Sequence, residues 1–226
     1  MIYENIKQAS FISRPNRFIA NIEIDGKIEV AHVKNTGRCR ELLIPGATVF
    51  AEEFDSPHRK TNYDLISVYK GDRLINMDSG APNKIFFEWV QVSGFFKDIT
   101  IIKPETKYKN SRFDFYIETA SRKIYVEVKG VTLEENGIVM FPDAPTERGL
   151  KHVNELCDCV SEGFEAYVVF IVQMKDVLYF TPNDATHSAF GEALGVAKKN
   201  GVNILAMDCE VSENSISSRS FVEVRL

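Results

Sequence analysis

RFDFYIETASRKIYVEVKGV, residues 112–131, holds two strand-length runs in which apolar and polar residues alternate. Phe113, Phe115 and Ile117 alternate with Asp114 and Tyr116. Ile124, Val126 and Val128 alternate with Tyr125, Glu127 and Lys129. Strand side chains point to opposite faces in turn, so Glu127 and Lys129 share a face. Two adjacent antiparallel strands, each with one core face, would present Asp114 beside them. Two carboxylates and one ammonium then meet at the edge of a sheet, which is the chemistry a nuclease needs. The acids hold a hard divalent cation through oxygen, and the lysine orients or activates a water. The same D…ExK spacing also arises on a solvated strand face, so the surrounding chain has to decide between the two.

Downstream, helix and strand alternate. PTERGLKHVNELCDCVSEG reads as a helix with Thr146 as its cap and Gly163 at its end. Leu150, Val153, Cys157 and Val160 form its apolar stripe at helical spacing. AYVVFIVQM is a near-continuous apolar run, as expected of a strand covered on both faces. SAFGEALGVAKKNG is a helix closed by Gly201, and VNILAMDCEV is a further strand. Just upstream, APNKIFFEWVQ predicts a helix opening at Pro82 or Asn83, with Ile85, Trp89 and Val92 on one face. This order predicts a mixed sheet with helices on both faces, compatible with a restriction-endonuclease-like core.

Residues 1–80 have a different texture. FIANIEI and IEVAHV flank Asp25-Gly26, a two-residue hairpin signal. ATVFAEEF, DLISVYK and RLINMD follow, set off by Pro45-Gly46 and Gly71-Asp72. About five short strands in this space predict a small barrel of the oligonucleotide-binding type. The expected organisation is α/β (α+β, two domains): an OB-type β-barrel over residues 1–80, then a nuclease-like mixed sheet flanked by helices over 81–226. Acidic and basic residues balance in 1–80, so the net charge of −5 arises entirely in 81–226.

Composition permits this reading and narrows it. At 226 residues, 44% hydrophobic and 26% charged, the chain suits a soluble globular protein. It has no apolar run of membrane-spanning length, and its first residues lack the apolar core of a signal peptide. Cys39, Cys157, Cys159 and Cys209 show no metal-ligand spacing, so free thiols in a reducing cytoplasm are expected. The acidic balance excludes the broad basic surface of many nucleic-acid binders, leaving only local basic patches for that role.

HVKNTGR (32–38), SRFDF (111–115), EVKGVTLEEN (127–136) and FPDAPTERGLKHVNEL (141–156) together resemble the sugar fermentation stimulation protein A family, and the resemblance runs along essentially the whole chain. It implies an N-terminal OB-type barrel and a C-terminal nuclease fold of the PD-(D/E)xK class. It also implies DNA binding and a role in regulating sugar metabolism. Phe113 stands where the superfamily pattern has proline.

By that resemblance Asp114 and Glu127 are the metal ligands and Lys129 the catalytic lysine. Glu88, on the helix before them, is the best candidate for an additional acid, with an exposed helix carboxylate as the competing reading and Glu105 as its rival. An all-oxygen ligand set without a Cys/His cluster calls for Mg²⁺, with Mn²⁺ substituting. Arg148 and Lys151 follow the Glu-x-Lys strand on a helix. Lys151 falls where related nucleases place a phosphate-contacting Gln or Lys; a solvated helix face is the competing reading for both, and for His152 beside them. Asn35, Thr36, Gly37 and Arg38 form a loop suited either to cradling a phosphate or to docking the barrel on the second domain. The segment FPDAPTERG, with two prolines and a cap, is expected to hold Asp143 and Arg148 near the cleft, with a simple turn as the competing reading for Asp143. Phe11, Phe18 and Tyr63 are expected in the barrel core, with base stacking as the alternative. Two functions follow as expectations: Mg²⁺-dependent hydrolysis of DNA, or DNA binding by a non-catalytic regulator.

Overall fold

A computed structural model describes residues 1–35 and 37–226. The N-terminal strands are β1 (Ile6–Asn16), β2 (Ile19–Ile24), β3 (Lys27–Val33), β4 (Thr48–Glu53), β5 (Tyr63–Lys70) and β6 (Arg73–Asn76). Their order is β3-β2-β1-β4-β5-β6, and a parallel β3–β5 pairing closes the first five into a barrel. Asp25 and Gly26 both take positive φ (51° and 76°), the two-residue turn that matches strand twist. Ala20, Ile22, Val33, Val49, Leu65 and Val68 fill the interior, all within 1% of full burial.

The barrel's strands are not the five expected. β1 was not legible as a strand, because only Ala9 and Phe11 of its eleven residues are buried and Pro15 interrupts it. Register shifts on either side of Ser13 put Pro15 in an irregular stretch, where proline's missing N–H costs no ladder bond. RLIN is not part of the closure; as β6 it is the outer arm of a hairpin on β5.

Helix α1 (Ala81–Val92) leads into the second layer: β7 (Ile99–Tyr108), β8 (Ser111–Thr119), β9 (Lys123–Val131), β10 (Leu133–Glu135), β11 (Ile138–Phe141), α2 (Glu147–Ser161), β12 (Glu165–Val172), β13 (Tyr179–Pro182), α3 (Asp184–Lys199), β14 (Asn203–Ser212) and β15 (Ser215–Val222). The main sheet runs β15-β14-β12-β9-β8-β7, with β9, β12 and β14 parallel and the outer strands antiparallel. β10, β11 and β13 form a small separate sheet. Alternate residues of β12 go to opposite faces. Val168, Phe170 and Val172 join the α2–α3 side, while Tyr167, Val169 and Ile171 join the α1 side. Both faces are therefore covered, as its unbroken apolar sequence requires.

The helices form for local reasons. Thr146 Oγ1 accepts the Gly149 N–H at 3.0 Å and caps α2, and Gly163 follows its end with φ 89°. α3 begins earlier than its apolar pattern indicated, at Asp184, because a helical turn precedes a kink at His187. In α1 the buried face is Ile85, Phe86 and Val90; Val92, expected there, is 83% exposed because its turn passes beyond the packed face. The serine-rich C-terminal segment forms β15, which its composition concealed. No helix among the described residues is long and apolar enough to cross a membrane.

The two layers are tied together. Tyr3 and Ile216 donate backbone hydrogen bonds to Asn214 and Met1, so the first residues lie along β15. Glu134 of β10 is 7% exposed and receives Lys70 at 2.8 Å and Arg73 at 2.9 Å from the β5–β6 hairpin. Burial alone would raise its carboxyl. The Lys70 and Gly137 hydrogen bonds and the charges of Lys70 and Arg73 outweigh that and hold it below the ordinary glutamate value of 4.5. Its stabilising contribution is therefore complete above pH 4.5 and is lost as pH falls through the lower folded value. Glu134→Gln should cost on the order of 2 kcal/mol at neutral pH and flatten the acid limb of the stability curve, measured by urea unfolding at pH 7 and below pH 4. Equal losses at both pH values would show that the charge contributes nothing.

Candidate metal centre

The main sheet splits where the carboxylates lie. β8 and β9 pair from Glu118↔Lys123 as far as Phe115↔Val126, and the ladder stops there. The Val128 N–H is taken instead by Asp114, whose Oδ2 accepts it at 2.7 Å. Its Oδ1 accepts from the Asn83 side-chain amide at 2.9 Å, and Asn83 lies in the first turn of α1. Asp114 thus replaces a rung of the ladder and stands in the opening, held from a strand and a helix. Burial pushes its carboxyl up, and the nearby Glu127 carboxylate adds to this. The Val128 N–H, Asn83 and the Lys129 ammonium pull the other way without cancelling it.

Glu127 is on β9, interior to the sheet, and is 3% exposed. The solvated-face reading of the motif is therefore set aside by the position of its strand. Glu127 Oε1 receives the Lys129 ammonium and faces His152 Nδ1 at 2.5 Å. Oε2 is buried with no hydrogen-bond partner among the described residues. Burial raises this carboxyl, but the His152 hydrogen bond and the Lys129 charge outweigh burial and hold it below the ordinary value. Two neighbouring acids are thus driven apart, one toward the neutral form and one firmly ionised. A buried carboxylate oxygen without a partner is costly, and a hard cation beside Asp114 would satisfy it. The donor set fits such an ion: oxygen on both acids, and an ammonium alongside.

Other residues singled out in the sequence lie elsewhere. Glu88 is on an exposed part of α1, where its Oε2 receives the Met1 ammonium at 2.9 Å. Asn83, five residues earlier on the same helix, is the α1 residue that reaches Asp114; five residues are about 1.4 helical turns, which points Glu88 well away from that direction. Glu105 accepts from Arg112 at 3.0 Å, both side chains being exposed. Arg148 and Lys151 are exposed on α2, and Lys151 reaches the Asn110 carbonyl at 3.4 Å. Together with Arg112 they line a recess of about 400 Å³ that also contains His152 and one carboxylate, Glu147, so three cations outnumber a single acid there.

In the barrel loop, Asn35 Oδ1 accepts the Gly37 N–H at 2.8 Å, and the Arg38 N–H donates to Asp143 at 3.1 Å. The loop backbone therefore docks on the second domain, while the Arg38 side chain is exposed. Thr36 lies outside the described residues. Arg14 organises the loop from beneath, donating to the carbonyls of Asn35, Gly37 and Arg38. Arg14, Arg17, Arg38 and Arg40 line a second recess of about 400 Å³, and none of the described residues lining it is acidic. Phe18 is 44% exposed with the Arg17 guanidinium 4.9 Å from its ring centre, whereas Phe11 is buried. The acidic chain thus carries two local basic surfaces.

Two contributors were not identified from sequence. Asn83 had no visible role, since an amide in a first helical turn has many. His152 was grouped with its exposed neighbours. Its place in the series Gly149, His152, Val153, Leu156, Cys159, spaced as one helical face, is the signal that marks it as inward.

Comparison with known proteins finds a family model for each of two stretches of the chain. Residues 12–77 match the description "SfsA N-terminal OB domain", and residues 80–215 match "Sugar fermentation stimulation protein RE domain". Sugar fermentation stimulation protein homologs from Desulfitobacterium hafniense (strain Y51) and Clostridium beijerinckii are 65% and 62% identical, covering 100% of this chain and 99% and 100% of those proteins. The solved structure of Pyrococcus furiosus SfsA in complex with Ca²⁺ superposes with a TM-score of 0.90 at 30% identity, over 100% of this chain and 98% of that one. With an OB-type barrel and a restriction-endonuclease-like sheet each matched in place, and with full-length relatives of this similarity, the chain belongs to the sugar fermentation stimulation protein family.

Proposed function

We propose that this protein binds DNA and hydrolyses its phosphodiester bonds with Mg²⁺ or Mn²⁺ held between Asp114 and Glu127. The observation that carries the reading is Glu127 Oε2, a buried carboxylate oxygen without a partner beside Asp114 and Lys129. The relative from Pyrococcus furiosus was solved with Ca²⁺, also a hard, oxygen-seeking cation. The described residues place no group of three or more His, Cys, Asp or Glu side chains together for a metal. Two protein carboxylates leave most of the coordination to water and phosphate, which suits Mg²⁺. Once bound, such an ion neutralises charge on the scissile phosphate and acidifies a coordinated water.

The chain's own residues do the rest. Asp114 is fixed by the Val128 N–H and Asn83, so its carboxylate needs no rearrangement. Lys129 sits on Glu127, 16% exposed, where its ammonium can hold the attacking water and the phosphate oxygens. Arg112, Arg148 and Lys151 offer cations to the phosphates on the α2 side, and Arg17, Arg38 and Arg40 do so on the barrel. Docking of the Arg38 backbone on Asp143 keeps the two surfaces in one frame.

The test is incubation of the full-length protein with single-stranded, double-stranded and branched DNA, with Mg²⁺, Mn²⁺ or EDTA. Metal-dependent cutting is expected. Salt-dependent binding with no cutting of any substrate would leave a DNA-binding regulator instead. Arg38→Ala removes an exposed charge and keeps the backbone contact to Asp143. It should weaken DNA binding at low salt and lower the slope of log K against log salt by about one unit. An unchanged affinity and slope would confine the loop to docking.

A further inference from the structure

We propose that His152 is a positioning residue for the metal centre: its Nδ1 fixes Glu127 so that Oε2 alone is presented to the cation. The inference rests on the metal reading above and adds a residue to it. His152 and Glu127 face each other at 2.5 Å, with both side chains 4% exposed. An ionised carboxylate only accepts hydrogen bonds, so Nδ1 carries the proton. The Lys129 ammonium reaches the same Oε1. Two donors therefore converge on one oxygen, and the other is left buried and unpartnered among the described residues.

The histidine is itself held in place. Phe113, the neighbour of Asp114 on β8, packs edge-on to the imidazole at 5.8 Å and 71°. His152 thus touches the Glu127 side chain of β9 and the Phe113 ring of β8, bracing the two strands just where they separate. Its helix is anchored by the Thr146 cap, and the close fit at Gly149 sets its depth; a Cβ there would lie 2.9 Å from the Thr146 side chain and 3.4 Å from Phe190. His152 also lines the basic recess of Arg112, Arg148 and Lys151. It is the wall between the surface that would hold phosphate and the acid that would hold metal, and it touches neither reacting group. Carboxylates that ligate metals depend on such outer partners for orientation.

The test compares Mn²⁺ binding to the full-length protein by calorimetry and electron paramagnetic resonance, without DNA, for wild type, His152→Leu, His152→Asn and His152→Gln. The asparagine amide nitrogen falls near the place of Nδ1, the glutamine one near that of Nε2, and leucine fills space without a donor. His152→Leu and His152→Gln should weaken Mn²⁺ binding about 10- to 100-fold, and His152→Asn should stay within about threefold of wild type. If the leucine variant does not fold, the asparagine–glutamine pair decides. Equal affinity in all folded variants, or a loss in His152→Asn as large as in His152→Gln, overturns the positioning role alone. A wild type that takes up no Mn²⁺ overturns the metal reading and this inference with it.

Discussion

Lys129→Ala is expected to reduce metal-dependent DNA cleavage by about 10²- to 10³-fold while leaving DNA binding within a few-fold. The size of the effect follows from position. The Lys129 ammonium is largely shielded from water beside Glu127, so its charge acts in a medium that weakens it little. Charge that develops on the phosphate during hydrolysis is stabilised most by groups already in place. Binding should survive because the exposed cations of the two recesses lie on other elements: Arg148 and Lys151 on α2, Arg17, Arg38 and Arg40 on the barrel. Lys129→Met keeps the apolar stem, so a matching loss there assigns the effect to charge rather than packing. Single-turnover cleavage and filter binding on one substrate separate the two quantities. Unchanged cleavage in both variants would remove Lys129 from the chemistry.

Asp114→Asn is expected to weaken Mn²⁺ binding by two orders of magnitude or more, with no loss of stability in EDTA. The two halves of this result have one cause. Asp114 is pushed toward the neutral form by burial and by Glu127, so its ionised state works against the apo fold. An asparagine carbonyl can still accept the Val128 N–H at the end of the β8–β9 ladder, and the Asn83 amide can turn its oxygen to accept from the new NH2, so both contacts are kept. What disappears is the anionic oxygen that a hard cation requires. Calorimetry gives the affinity, and thermal unfolding in EDTA gives the stability. Wild-type affinity in the variant would place the ion elsewhere. A large drop in apo stability would show that the carboxylate is structural.

Much of this fold could be read before the structure because its punctuation is local. Thr146 and Gly163 bracket α2 with contacts inside one segment, and Asp25-Gly26 closes a hairpin by backbone preference alone. The unbroken apolar run of β12 could only belong inside a covered sheet. What escaped were features fixed by partners distant in sequence. β1 has two buried residues and a proline, and is a strand because β2 and β4 pair with it. β15 is serine-rich, and β14 recruits it to the sheet. His152 is a polar residue on a buried face, made tolerable by Glu127, 25 residues earlier. Glu88 shows the opposite error. Its helix is legible in the sequence, but Glu88 is singled out only because nucleases of this class often add an acid from the first helix, and in the structure Asn83 is the α1 residue that reaches Asp114. The alternating pattern of residues 112–131 placed Glu127 and Lys129 on one face, and in the structure they touch. It could not show that the ladder ends at Phe115↔Val126, which is what frees Asp114 to enter the opening.

The most direct measurement is anomalous diffraction from crystals of the full-length protein soaked in Mn²⁺. The expected result is one strong peak bound by an Asp114 oxygen and by Glu127 Oε2, with His152 and Lys129 still on Oε1. A fully occupied peak at other residues, with Glu127 Oε2 left as it is in the apo protein, would contradict the assignment of this site.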